Sequence, residues 1–176
     1  MPSDDSLIAE LIRRRDSGEL RSDMSNAKRL PKPLAVEKIA TAEAILALSL
    51  PGVLSRIYTT VANGGFGDSY GFLGLMGGPK NEAGLDAIGL WKAFMKPDPS
   101  DPRWRWRSYL LPIGHLGCGM YHCVDCRTKN GKIIFFEPNP HEDGDSWSDA
   151  FFPFCPSLNK YFSVWLDGGD LWEAFT

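Results

Sequence analysis

At 176 residues, with 43% hydrophobic and 12% aromatic content, the chain can bury a core as one folded domain, which excludes a disordered protein. A formal charge of −3 gives no general drive toward nucleic acid, and no apolar run approaches the ~20 residues of a membrane-spanning helix. The opening MPSDDSLIAELIRRRD lacks the basic start and long apolar stretch of a secretory signal, so a cytoplasmic chain with reduced cysteines is expected.

Residues 3–16 read as a short amphipathic helix. Ser3 or Asp4 caps it, Leu7, Ile8, Leu11 and Ile12 share a face, and Gly18 ends it. Residues 21–34, polar with two prolines, read as a linker, so the first helix is either loosely attached or docked back. A helix with Ile39, Ala42, Ile45, Leu46 and Leu48 on its apolar face follows and breaks at Leu50-Pro51. A second, residues 52–62, carries Val53, Leu54, Ile57, Tyr58 and Val61 at helical spacing and stops at Asn63-Gly64-Gly65. Phe72, Leu73 and Leu75 suggest a short strand between glycine-rich turns. Residues 84–95 form a third core helix and residues 96–102 a loop. Three strands are expected at residues 104–114, 119–126 and 132–138, the last two joined through an Asn130-Gly131 turn. A polar loop (139–149), a buried connector (151–156) and a last helix capped by Ser157 complete the chain. Helices, then a small antiparallel sheet, then a helix is an α+β order, without the crossovers of a doubly wound sheet.

The stretch GCGMYHCVDC, residues 117–126, holds three of the four cysteines. Cys123 and Cys126 have zinc-ligand spacing, but no second ligand pair follows. In a strand they point to opposite faces, and a redox pair prefers a helix start. Buried structural cysteines are the expectation, with no metal and no cofactor; a small metalloprotein built on Cys118, Cys123 and Cys126 is the competing reading. The glycine runs lack the features of a phosphate cradle. Arg103, Arg105 and Arg107 alternate with Trp104 and Trp106. In a strand the arginines form a stripe, either the solvated face of an edge or a partner contact.

Residues 131–176 carry eight acidic and two basic side chains, a local −6. Glu142, Asp143, Asp145 and Asp149 fall in one loop with Trp147. That loop is either merely solvated or faces a basic partner; it lacks the ligand spacing of a calcium loop. His115, His122 and His141 form no recognisable catalytic pattern, and a Cys118–His122 nucleophile–base pair lacks an orienting group, so no enzyme is expected.

Glu43, Leu50-Pro51, Tyr58 and Asn63-Gly64-Gly65, together with LLPIGHLGCGMYHCVDC, NGKIIFFEPNP and SLNKYFSVWLDG, resemble the SUKH superfamily over about residues 35–168. The resemblance implies an α+β domain with a bent antiparallel sheet flanked by helices, over residues 35–176, preceded by an N-terminal helix and linker at residues 1–34. It implies a binding role rather than catalysis, because many bacterial members look like immunity proteins that neutralise a toxin, often a nuclease, by direct contact. A nuclease cleft is basic, so Glu142, Asp143, Asp145 and Asp149 are the expected contacts, with Trp147 as apolar anchor. A regulatory scaffold without a toxin is the alternative, and neither membrane nor direct nucleic-acid binding is expected.

Overall fold

The structure, a computed structural model, describes residues 2–24 and 29–176. Ser25 to Lys28 of the expected linker lie outside the described residues. Helix α1 (Asp4–Asp16) has the expected cap, with Ser3 Oγ accepting the Ser6 N–H at 3.2 Å. Asp4 and Asp5 sit at its N-terminus and Arg13, Arg14 and Arg15 at its C-terminus, matching the helix dipole. It docks back on the body: Leu7, Ile8 and Leu11 are buried, and Asn159 Nδ2 donates to Asp4 Oδ1 at 2.8 Å.

Helix α2 (Val36–Leu46) buries Ile39, Ala42 and Leu46. Glu43 Oε1 accepts the Leu50 N–H at 2.8 Å and so holds the turn leading to Pro51. The expected second helix divides into α3 (Gly52–Arg56) and a π-helical turn, Ile57–Val61. Helical spacing of apolar residues does not separate the two geometries. Arg15 of α1 stabilises the wider turn by donating Nη1 to the Thr60 and Val61 carbonyls at 2.6 and 3.1 Å.

The segment after Asn63-Gly64-Gly65 is not the expected strand. Only Phe72 bridges Gly114, because the glycines around it turn the backbone away on both sides. Its polar groups are satisfied individually. Asn63 Oδ1 accepts the Leu75 N–H at 2.8 Å, the Tyr58 hydroxyl donates to the Leu73 carbonyl at 2.9 Å, and the Leu73 N–H donates to the Ile113 carbonyl at 2.7 Å. Gly64, at φ +81°, leaves no room for a side chain, since a Cβ would stand 2.5 Å from the Phe72 carbonyl oxygen. Helix α4 (Ala87–Phe94) follows, capped by Asp86, whose Oδ1 accepts the Gly89 N–H at 2.7 Å.

Strands β1 (Leu110–Gly117), β2 (Met120–Asp125), β3 (Lys132–Phe136) and β4 (Phe151–Cys155) form one antiparallel sheet in the order β1-β2-β3-β4. Two expectations change here. Residues 104–109 are not strand: turn bonds from Trp104 N–H to the Asp101 carbonyl and from Leu110 N–H to the Arg107 carbonyl replace ladder bonds. The alternation of side chains survives, with Trp106 buried and Arg103 and Arg105 exposed. The expected connector at 151–156 is instead the edge strand β4, where Pro153 is tolerated because its missing N–H costs no central ladder bond. Phe94 of α4 packs on Tyr121 and Phe136 at one sheet face. His122, pointing the other way, packs on Tyr161 and Trp172 of α5 (Leu158–Leu166) and α6 (Leu171–Phe175). Ser157 caps α5 as expected, while α6 has no counterpart in the sequence reading.

Two outcomes follow from this packing. Leu11, fully buried at 0% exposure, makes α1 part of the core, so Leu11→Ala should cost about 2–5 kcal/mol in urea unfolding. His122 is fully buried, with Nδ1 3.0 Å from the Tyr161 hydroxyl and Nε2 without a partner. Burial pushes its pKa down to about 3. The unfolded chain takes up this proton near pH 6.5 and the native chain does not, so stability is full above that pH and falls as pH drops toward 3. Between pH 7 and pH 5 the loss should be about 2 kcal/mol, and His122→Phe should flatten that slope.

Candidate partner-binding surface

The polar loop between β3 and β4 is tied to itself and to the body. Its base closes through the Glu137 N–H and Ala150 carbonyl at 2.9 Å. Within it, Asp145 Oδ2 accepts the Glu142 N–H at 3.0 Å, and the Asp145 N–H donates to the Glu142 carbonyl at 3.0 Å. Ser146 caps a 3-10 turn, Trp147–Ala150. Glu142, Asp143, Asp145 and Asp149 are all exposed, and among the described residues none forms an ion pair.

Trp147 is half-buried and held from three sides. Its indole N–H donates to Asp101 Oδ2 at 2.6 Å, its ring stacks on His141 at 3.7 Å, and Trp104 meets it edge-on at 4.7 Å. The Trp147 donor, followed by the Arg103 N–H, holds the Asp101 carboxyl below its ordinary range. The arginine stripe lies under the same loop. Arg103 Nη1 donates to the Gly144 carbonyl, and Arg107 Nη2 donates to the Ser148 carbonyl at 3.3 Å while its guanidinium covers the Phe151 ring. Arg103 and Arg107 therefore bond main-chain oxygens of the loop rather than its carboxylates, which face solvent, while Arg105 bonds the Pro102 and Trp104 carbonyls.

Beside Trp147 lies an open groove of 390 Å³, walled by Phe94, Trp104, Phe136, Pro138 and Trp147, with Lys96 and Asp98 at its rim. The sequence alone places Trp147 and the four acids together, but not Asp101, Phe94 or this groove. The aromatic residues themselves were visible; no spacing joins Asp101 to a tryptophan 46 residues away.

The other expected centres stay apart. Cys118, exposed at the β1–β2 tip with φ +51°, has no hydrogen bond to His122, whose Nδ1 is engaged by Tyr161. His115 Nε2 lies 2.7 Å from Glu82 Oε2 without the alignment of a hydrogen bond, its ring between Tyr70 and Tyr121. β2 stops at Asp125, so Cys126 escapes strict strand alternation; Cys123 lies in the core and Cys126 against it. Burial pushes the Cys123 thiol well up, that of Cys126 up to about 12 and that of Cys155 up to about 11. Such thiols are poor nucleophiles near neutral pH. Among the described residues no three His, Cys, Asp or Glu side chains are grouped to hold a metal ion. No helix among them is long and apolar enough to cross a membrane.

Helices on both faces of an open four-stranded antiparallel sheet, with the Asn-Gly-Gly segment laid along the β1 edge, define a SUKH-like α+β domain. Residues 33–164 match the SMI1 / KNR4 family (SUKH-1), and the chain belongs to that family. No curated protein matches the chain. Helix α1 lies outside the matched region yet contributes Leu7, Ile8 and Leu11 to the core.

A thiol reagent should read this geometry directly. In the native protein Cys118 should react fastest, the partly exposed Cys126 slowly, and Cys123 and Cys155 only after unfolding.

Proposed function

We propose that this chain is a protein-binding module that neutralises a basic toxin domain, of the nuclease kind, by direct contact through the Glu142–Asp149 loop. The observation that carries this reading is the state of that loop: four exposed carboxylates without ion pairs, on a backbone already tied down by Arg103, Arg107 and Trp147. Carboxylates so placed can occupy the sites where a nuclease binds substrate phosphates. Their fixed backbone lowers the ordering cost of association. Membership of the SMI1 / KNR4 family supports a binding role, and the raised thiol pKa values and dispersed histidines support binding rather than catalysis. The cytoplasm suits four free cysteines.

The test begins with retention of partners from the native cell on the tagged chain, followed by assay of the retained protein for cell toxicity. Glu142→Lys, Asp143→Lys and Asp149→Lys combined should weaken that complex by at least about tenfold and flatten its salt dependence, with unfolding midpoint unchanged. Unchanged affinity and salt dependence would remove the loop from the interface. A retained partner without toxicity would favour the regulatory-scaffold reading that the family also allows.

A further inference from the structure

We infer that the partner docks by placing an apolar side chain in the groove beside Trp147, with flanking lysine or arginine residues on the acidic loop. This deepens the proposed function and rests on its assignment of that loop as the binding face. Trp147 is a wall of the receiving groove, not a plug that enters the partner. To leave its place it would break the 2.6 Å bond to Asp101, the His141 stack and the edge contact with Trp104. Trp104 is fixed in turn, its indole N–H donating to the Phe94 carbonyl at 2.8 Å. The walls are thus in place before binding, and an apolar group entering between them displaces water without ordering the aromatic rings.

The groove's 390 Å³ lies within the range of about 300–1,000 Å³ typical of ligand clefts. Its walls are of the aromatic type that concentrates binding energy at interfaces. Charge selects the flanks. On the His141 side of the His141–Trp147 pair, Glu137, Asp145 and Asp149 line a crevice of 70 Å³ together with Ala150 and Phe152. That is space enough for a water-sized group such as an ammonium tip. Glu137 Oε1 already accepts from Asn139, and Asp145 Oδ2 from the Glu142 N–H, so each carboxylate keeps an oxygen for an incoming cation. A segment with a basic residue beside an apolar one fits this succession of crevice, wall and groove.

The probe is a capped peptide, Lys-Lys-Leu-Leu-Lys-Lys, added to the ¹⁵N-labelled full chain while the tryptophan indole N–H signals are followed. The signals of Trp104 and Trp147 should shift, those of Trp165 and Trp172 should not, and the dissociation constant should rise with salt. Replacing the leucines by glycine, or the lysines by glutamate, should weaken binding by at least about tenfold. Ala93→Phe, which fills the groove from α4 and leaves the acidic loop intact, should do the same. Ala93→Arg is the second variant if the first does not fold. No shift with the lysine–leucine peptide, equal binding of the lysine–glycine peptide, or undiminished binding by the filled groove would each overturn the inference. The native partner separates the two levels of the argument. Loss of that complex on charge reversal but not on groove filling overturns the groove alone; loss on neither overturns both.

Discussion

The side-chain amide of Asn63 holds a segment that has no regular structure to satisfy its own backbone. Its Oδ1 takes the Leu75 N–H and its Nδ2 donates to the Met76 carbonyl at 3.3 Å. Tyr58, whose phenol is kept protonated by complete burial, donates to the Leu73 carbonyl from the helix before it. These bonds let Phe72, Leu73 and Leu75 enter the core without a ladder of their own. The same segment positions α4, because the Gly77 N–H donates to Asp86 Oδ2 at 2.6 Å while the other oxygen of Asp86 caps the helix. Since α4 ends in Phe94, a wall of the groove, the Asn63 contacts reach that groove through one helix.

The end of the molecule that carries the groove is built on indole donors. Trp91, Trp104 and Trp106 donate to the Ser108, Phe94 and Leu110 carbonyls, and Trp147 donates to Asp101. Each bond spends a polar group that burial would otherwise penalise, and each ties irregular chain to a regular element. The result is an aromatic cluster that joins α4 and β3 to the irregular chain at residues 101–109 and 147. Main-chain oxygens of the acidic loop are balanced by Arg103 and Arg107, so the loop's outward charge coexists with an ordered backbone.

The polar motif residues that carry the family resemblance now have structural tasks. Glu43 holds the turn at Leu50-Pro51, Tyr58 and Asn63 hold the segment along β1, and Gly64 makes room for the Phe72 carbonyl. They mark the fold; the binding face proposed above lies in loops of different composition. The family is legible from those residues because each holds a contact on which this fold depends.

Local chemistry alone determined the helices α1, α2, α4 and α5, the caps at Ser3 and Ser157, the Asn130-Gly131 turn, the α+β order and the cluster of acids around Trp147. Each is encoded within a few residues, as a period, a cap or a turn. Only the tertiary structure decided the rest. The π-helical turn is supported by Arg15, 45 residues from Thr60. β4 became strand because Phe151 and Phe152 meet Phe136 and Phe135 across a loop. Residues 104–109 left the sheet because their bonds go to turns and indoles instead. The groove exists because Asp101 and Trp147 meet across 46 residues. Contacts over such distances depend on where the whole core places each element, and no short spacing in the chain carries that information.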